Sequence, residues 1–219
     1  LSKQSHENIE TAVIQSENRL IITMKSDQQK GLKGRTIILD PGHGSFTQDG
    51  YYDAGAIGPT GLLESAVNLK IALKLKSMLE EKGAQVIITR TQEQDKQSPT
   101  LKDRIINANA SGADLFLSIH QNASINHKLK GIQSFFWNNS SEKIASLVAG
   151  GISKSTGLVI NKVTRRSLAV TENITSMPSL LVETACLSNP EEEKMLQSDN
   201  FLSLIAEGLT NGVESFFNN

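Results

Sequence analysis

The amino-acid sequence predicts an α/β fold: a single domain with a mostly parallel, twisted sheet that is flanked by helices on both faces. Two observations lead to this prediction. From about residue 34 onward, short apolar runs alternate with amphipathic segments, which is the pattern of strands connected by helices. The chain has 219 residues, which suits one domain of moderate size with room for a small appendage at one end.

The first 33 residues differ from the rest of the chain. Residues 11–15 and 19–24 are predicted to form two strands around Ser16-Glu17-Asn18, and a polar linker follows at 27–34. We therefore predict that residues 1–33 are a β hairpin and linker, or the tail of an upstream module, and that 34–219 form the main domain. Because the chain begins at Leu1, we expect a mature form or an excised fragment.

The predicted strands of the main domain are short runs rich in β-branched residues and leucine. The first run, TIIL at residues 36–39, ends abruptly in Asp-Pro-Gly-His-Gly. The other strands are predicted at 85–89, 115–119, 132–136 and 179–182. Their apolar character indicates that the strands are buried.

The predicted helices separate these strands. The longest, at 63–82, has Val67, Ile71 and Leu75 at helical spacing, and Gly83 follows as its C-terminal stop. Further helices are predicted at 101–110, 141–155 and 201–217, and a short one begins after the cap and proline at 188–190.

The composition argues against several kinds of partner. The net charge is −1 and there is no basic amphipathic stretch, so we expect no nucleic acid or membrane surface to bind through bulk charge. No apolar run approaches the roughly 20 residues that span a bilayer. Cys186 is the only cysteine, so no internal disulfide can form. We expect a monomer without membrane insertion.

Four side chains that could bind a metal or transfer a proton are predicted to meet at one edge of the sheet. His43 follows the first strand of the main domain, His120 the third and Glu183 the last. Glu64 begins the long helix. Ligands of open α/β sheets bind beyond the carboxyl ends of the strands, so these residues are expected to converge there.

This set of side chains is typical of a catalytic zinc site. Zinc hydrolases use three histidine or carboxylate ligands and leave a fourth position for water. The metal lowers the pKa of water to about 7 and polarises a carbonyl group. A carboxylate that does not bind the metal serves as general base. His43, Glu64 and His120 fit the three ligands, and Glu183 fits the base.

Each of these residues also has an interpretation without a metal. His43 could be a loop histidine beside a tight turn, His120 a core histidine, and Glu64 a carboxylate stabilised by the helix dipole. Glu183 is harder to explain in this way, because it follows Leu-Leu-Val into a region where an unpaired charge is costly. The ligands form no compact motif such as HExxH, so their spacing favours a metal site without establishing it.

A family resemblance extends from about residue 34 to the C-terminus. It is carried by five ordered blocks, at 36–44 (TIILDPGHG), 53–65 (DAGAIGPTGLLES), 86–90 (VIITR), 101–123 and 179–193. These blocks resemble the zinc-dependent N-acetylmuramoyl-L-alanine amidases of the Amidase_3 type, which are bacterial cell-wall hydrolases.

The resemblance implies a phosphorylase/hydrolase-like α/β catalytic domain at 34–219 with one Zn²⁺. It implies that the partner is peptidoglycan, and that the enzyme cleaves the amide between the lactyl group of N-acetylmuramic acid and L-alanine of the stem peptide. It implies a secreted protein of the bacterial cell wall or periplasm. By the resemblance, His43, Glu64 and His120 fall at metal positions, and Glu183 falls at the catalytic glutamate.

Two other functions remain open. Cys186 could act as a nucleophile with His43 or His120 as its base and Glu183 as the orienting group, although this leaves Glu64 without a role. A non-catalytic peptidoglycan-binding domain of the same fold is the second alternative. Such a domain usually lacks a ligand or the base, whereas here all four positions are filled.

Some members of the family carry a long helical insertion that plugs the zinc. The segment between His120 and Glu183 has no room for one, so we expect a site that is open without an activator. Arg165 and Arg166 either meet carboxylates of the stem peptide or form a solvated pair before a strand. We choose Arg166 as the candidate substrate contact.

Two expectations concern the turn that carries His43. Asp40 is expected to accept a hydrogen bond from the His43 ring and hold it in its ligating tautomer. Gly42 and Gly44 are expected to leave room around the imidazole for a metal and a bulky substrate.

Overall fold

A computed structural model of the protein describes residues 10–16, 19–25, 30–47, 49–93 and 98–219. In it, β1 (Glu10–Ser16) and β2 (Arg19–Lys25) pair antiparallel as a two-stranded sheet, where the sequence predicts a hairpin. The predicted turn residues Glu17 and Asn18 lie outside the described residues, as do residues 27–29 of the predicted linker. Leu32 is only 3% exposed and packs in the main core. The domain division after residue 33 stays a prediction.

The main sheet has six strands in the order β4-β3-β5-β8-β6-β7. Neighbouring strands are parallel except for β6 and β8, which confirms the mostly parallel α/β fold. The strands are β3 (Thr36–Pro41), β4 (Gln85–Ile88), β5 (Leu115–Asn122), β6 (Ile132–Phe136), β7 (Ile160–Arg165) and β8 (Ser179–Cys186).

Six helices connect and cover these strands in the described part of the chain. They are α1 (Glu64–Glu81), α2 (Leu101–Ala110), α3 (Asn139–Thr156), α4 (Ala169–Asn173), α5 (Pro190–Leu196) and α6 (Asp199–Asn218). None of the helices described has the length and apolar character of a membrane span.

Alternate residues of the strands face two separate apolar clusters. Ile37 and Leu39 of β3 pack with α1, α3 and α6 in the larger cluster, whereas Ile38 packs in a smaller cluster that includes Ala108 of α2 and Val170 of α4. Successive side chains of a strand point to opposite faces of the sheet, so the sheet has helices on both faces. We call the side of the smaller cluster the α2 face.

The sequence did not predict β7 or α4. The strand β7 (INKVTR) is an edge strand whose side chains are exposed or half-buried, so it lacks the apolar run that marks the other strands. A strand was one prediction for the residues after Arg166, and this is wrong. That segment forms α4, where the backbone N–H of Leu168 donates to Thr171 Oγ1 at 3.2 Å and Val170 enters the smaller cluster.

Candidate metal centre

His120 and Glu183 lie inside strands that continue past their apolar runs. The two residues are register partners on the parallel strands β5 and β8. Residues paired in this way point to the same face of the sheet. Here this is the α2 face, because Phe116 and Leu181 pack in the smaller cluster, and His120 and Glu183 lie four and two residues after them in their strands. A register shift follows directly after His120. Such bulges are common beside active sites.

His43 follows β3 in the Gly42-His43-Gly44 turn, and a carboxylate orients its ring. Nδ1 of His43 lies 2.9 Å from both carboxylate oxygens of Asp53, so Nε2 is left to face Glu64, whose Oε2 is 3.3 Å away. Burial lowers the pKa of His43, but the hydrogen bonds to Glu64 and Asp53 outweigh burial and raise it to about 9.

The prediction that Asp40 orients His43 is therefore wrong. The side chain of Asp40 leaves β3 toward the α2 face, where it is 2% exposed, and its carboxylate accepts hydrogen bonds from Thr89, Arg104 and Ser118 at 2.7, 3.1 and 2.8 Å. Burial alone would raise the pKa of Asp40, but Arg104 and the two hydroxyls lower it. Asp53 was missed because it lies ten residues from His43, in a glycine-rich loop whose path the sequence does not reveal.

Glu64 is the first residue of α1, and its side chain is 5% exposed. One oxygen, Oε1, lies 2.9 Å from His120 Nδ1 and accepts the backbone N–H of Gln121 at 3.1 Å. The other oxygen, Oε2, accepts the backbone N–H of Ala56 at 2.8 Å and faces His43. Burial raises the pKa of Glu64, but the hydrogen bonds from the two histidines lower it well below its usual range. Glu64 is thus an ionised carboxylate between two imidazoles.

His43, Glu64 and His120 form a cluster that could hold a metal ion. One ligand atom from each residue lies within 4.8 Å of the others. The two imidazole rings meet edge to face, with their centroids 4.9 Å apart. The structure therefore brings together the three residues that the sequence predicts as ligands, from a turn, a helix start and a strand.

Glycines leave the space that this cluster needs. A Cβ atom at Gly42 would lie 2.2 Å from the His120 ring, and one at Gly55 would lie 2.6 Å from both Glu64 and His43. The room at Gly42 is therefore occupied by the second imidazole, rather than by a metal and substrate as the sequence suggested. Gly44 makes room for a different side chain, Arg90.

Glu183 stands beside the cluster in a contrasting environment. Its Oε2 atom is buried, and no hydrogen-bond donor reaches it from the described residues. Burial raises the pKa of Glu183; the charge of His120 lowers it and the charge of Glu64 raises it, and the result is a pKa of about 7. A carboxyl group of this kind can accept and release a proton near neutral pH.

The two remaining candidates lie in different settings. Arg166 directly follows β7, is exposed, and stacks over the ring of Phe135 with its guanidinium carbon 5.0 Å from the centroid. Its positive charge lowers the pKa of Glu183, so it acts on the same region. Cys186 ends β8 and is 0% exposed, with its Sγ 3.4 Å from Ser188 Oγ. A thiol so buried fits the role of a small core residue.

A cavity of about 230 Å³ lies next to the cluster on the α2 face. His43 and His120 form part of its wall. Its apolar wall is formed by Leu101, Leu168, Val170 and Leu181. The cavity offers a substrate a place to lie directly beside both histidines.

Comparisons with known proteins agree with this geometry. Residues 37–215 match the family model described as N-acetylmuramoyl-L-alanine amidase (Amidase_3). The chain is 32% identical over 200 residues to the germination-specific N-acetylmuramoyl-L-alanine amidase of Bacillus subtilis, a match that covers 85% of this chain and 81% of that protein. It is 30% identical to the probable cell wall amidase LytH of Staphylococcus epidermidis, over 85% of this chain but only 60% of that longer protein.

Solved structures give the same result. An N-acetylmuramoyl-L-alanine amidase from Clostridium difficile 630 superposes with a TM-score of 0.76 at 32% identity, covering 84% of this chain and 97% of that chain. The CwlD amidase from Clostridioides difficile, in a complex with the GerS lipoprotein, superposes with a TM-score of 0.72 at 28% identity, covering 84% and 98%.

Proposed function

Because this chain belongs to the Amidase_3 family of N-acetylmuramoyl-L-alanine amidases, we propose that it hydrolyses peptidoglycan with the help of one zinc ion. The bond cleaved is the amide between the lactyl group of N-acetylmuramic acid and L-alanine of the stem peptide. The observation that carries the proposal is the cluster of His43, Glu64 and His120 with the carboxyl group of Glu183 beside it.

The residues present fit a zinc ion. Two imidazoles and a carboxylate are a donor set that zinc favours in hydrolases, and His43, Glu64 and His120 would hold the ion. The buried Oε2 of Glu183 supports this assignment, because a cation nearby would compensate a charge that the described residues leave without a donor. When bound, zinc lowers the pKa of water and polarises a carbonyl group.

We assign the proton transfers to Glu183. A general base works best when its pKa is close to the operating pH, and in the metal-free protein burial brings the pKa of Glu183 to about 7. Its carboxylate takes a proton from water as the water oxygen bonds to the lactyl carbonyl carbon. It then gives this proton to the alanine nitrogen as the carbon–nitrogen bond breaks. The products are a lactyl carboxyl group and a free amino group on alanine.

Arg166 is proposed to bind a carboxylate of the stem peptide. Its guanidinium is exposed, and its positive charge lowers the pKa of Glu183. The neighbouring Arg165 instead donates to Asn139 and lies over Trp137, which makes it a matched control. We expect Arg166→Lys to raise KM with little change in kcat, because a lysine cannot form a bidentate pair. Arg165→Lys should change neither constant, and an unchanged KM in Arg166→Lys would contradict the assignment.

We further propose that the protein acts in the bacterial cell envelope as a secreted, autolysin-like enzyme. Peptidoglycan lies outside the cytoplasmic membrane, and the relative LytH is named a probable cell wall amidase. Action as a monomer is proposed because all three candidate ligands and Glu183 come from one chain.

The decisive experiment is mass spectrometry of a digest of purified peptidoglycan, with zinc content measured on the same protein sample. We expect free stem peptides with an N-terminal L-alanine and glycan strands that carry lactyl carboxyl groups, together with about one zinc per chain. Binding of peptidoglycan without such products would favour the non-catalytic alternative. Products that persist after chelation but vanish after thiol alkylation would favour Cys186 as a nucleophile.

A second arm of this experiment tests the need for an activator. Between β6 and β8 the chain forms α3, β7 and α4, so we propose that the site is open without a partner protein. Robust hydrolysis by the isolated protein would support this. The related CwlD amidase was solved in a complex with the GerS lipoprotein, so activity that appears only after a partner is added is the outcome that would contradict it.

A further inference from the structure

The backbone of His43 adopts a conformation that its residue type does not favour. Its φ is 60°, and His43 is the only non-glycine residue with a positive φ in the described part of the chain. Left-handed backbone at such a residue is strained and persists only where the surroundings hold it. The hydrogen bond from the ring to Asp53 fixes the imidazole, but it does not explain what holds the backbone.

Two arginines bind the carbonyl groups of this turn. Arg90 donates to the carbonyl oxygens of Pro41 and Gly42, both at 3.1 Å. Arg104 donates to the carbonyl oxygens of Pro41 and His43, at 3.2 and 2.9 Å. Three successive carbonyl groups are therefore held by charged donors from both sides, one from the segment after β4 and one from α2.

Both guanidinium groups are buried and are themselves held in place. Arg104 pairs with the buried carboxylate of Asp40 at 3.1 Å. Arg90 pairs with the more exposed Glu93 at 3.1 Å and also donates to the carbonyl oxygen of Ser65 in α1 at 2.7 Å. A Cβ atom at Gly44 would lie 2.4 Å from the guanidinium carbon of Arg90, so the second glycine of the turn is required by this arginine.

We infer that Arg104 and Arg90 are positioning residues for the metal centre: their guanidinium groups clamp the carbonyl groups of residues 41–43 and hold His43 in the backbone conformation that directs Nε2 toward Glu64. Neither residue touches the reacting atoms in this scheme. The inference rests on the proposed function, because it assumes that His43 is a zinc ligand.

The test is zinc affinity, measured by competition with a chromophoric chelator, for the wild type, Arg104→Lys and Arg35→Lys. Lysine keeps the positive charge beside Asp40 but lacks the planar donors that reach two carbonyl groups at once. We expect Arg104→Lys to weaken zinc binding about 10- to 100-fold, the range typical of groups that orient metal ligands. Arg35 bonds to Asp114 at the opposite end of β3, so Arg35→Lys should leave the affinity unchanged.

A second measurement separates positioning from general loss of structure. Histidine-ring NMR of the metal-free proteins should show a shifted His43 signal in Arg104→Lys and unchanged signals in Arg35→Lys. If Arg104→Lys does not fold, Arg90→Lys replaces it, because its partner Glu93 is 34% exposed and this ion pair is therefore less buried than that of Arg104 with Asp40. A folded arginine variant with wild-type zinc affinity would overturn the inference. A wild-type protein that binds no zinc would instead overturn the proposed function.

Discussion

The start of α1 and the middle of β8 each bring one glutamate to the candidate metal centre, and the two carboxyl groups have opposite surroundings. Glu64 accepts backbone N–H groups from Ala56 and Gln121 and lies between two histidines. Burial raises its pKa, but the hydrogen bonds from His120 and His43 lower it below its usual range. Glu183 has a buried oxygen that no described donor reaches, and its pKa is raised to about 7.

This difference separates the roles of the two residues. A carboxylate that stays ionised and is fixed by hydrogen bonds is suited to hold a cation, whereas one that titrates near neutral pH is suited to transfer a proton. Environments that push two pKa values apart are a general way to recognise such a division. In the proposed function, the same residue type thus serves as a metal ligand at one position and as a base at the other.

The largest effect is expected when the two glutamates are changed in turn. Glu183→Gln should lower kcat about 10³-fold and keep the zinc, because only the proton transfers are lost. Glu64→Gln should lose both activity and zinc, because the charged ligand is removed. Turnover and zinc content are measured on the same samples. Glu192→Gln is the control, since Glu192 is a buried glutamate that binds the backbone of Gly131 and Cys186 outside the cluster. Near wild-type turnover in Glu183→Gln would refute the division of roles.

A smaller effect is expected at Asp53, the residue that orients the candidate ligand His43. Asp53→Asn keeps the size of the side chain but removes the charge that faces His43 Nδ1 at 2.9 Å. We expect zinc affinity to fall about tenfold, near the lower end for groups that orient metal ligands, because the side chain of Asp53 is 45% exposed. Competition with a chelator measures this. Equal affinities for Asp53→Asn and the wild type would mean that the ring needs no orienting carboxylate.

A stability measurement across pH tests the raised pKa directly. A carboxyl group whose pKa is higher in the folded state than in the unfolded state costs stability as the pH rises from the unfolded value, here 4.5, through the folded value of about 7. Metal-free Glu183→Gln should therefore be more stable than the wild type above pH 7, by about 3 kcal/mol for a pKa raised from 4.5 to about 7, and the two should converge below pH 4.5. Urea unfolding at several pH values gives the difference. Added zinc should reduce it, because a cation favours the ionised form; a difference that does not depend on pH would contradict the raised pKa.

The smallest effect on activity is expected at Cys186. Cys186→Ala should leave kcat and KM unchanged and lower the free energy of unfolding by about 1 kcal/mol, because the thiol is buried and serves only to fill space. Activity assays before and after thiol alkylation provide the comparison. Loss of turnover in the folded variant would revive the thiol as a catalytic group.

The sequence indicated a candidate site residue most clearly where that residue directly follows an apolar run. His120 and Glu183 stand out because a polar, titratable side chain directly follows four or five buried residues, and strand pairing then fixes their neighbourhood. The strand β7 and the helix α4 were missed, because an exposed edge strand has no apolar run and a helix of five residues shows no period.

The sequence by itself determined the fold class and predicted the three candidate ligands and the candidate base, because periodicity and residue type can be read along the chain without coordinates. Only the tertiary structure decided which carboxylate pairs with which histidine or arginine. Asp40 is near His43 in the chain but pairs with Arg104 across the α2 face, whereas Asp53 returns to His43 along a loop. Such pairings depend on the face from which a side chain leaves its strand and on where a glycine-rich loop runs, and both are set by long-range packing.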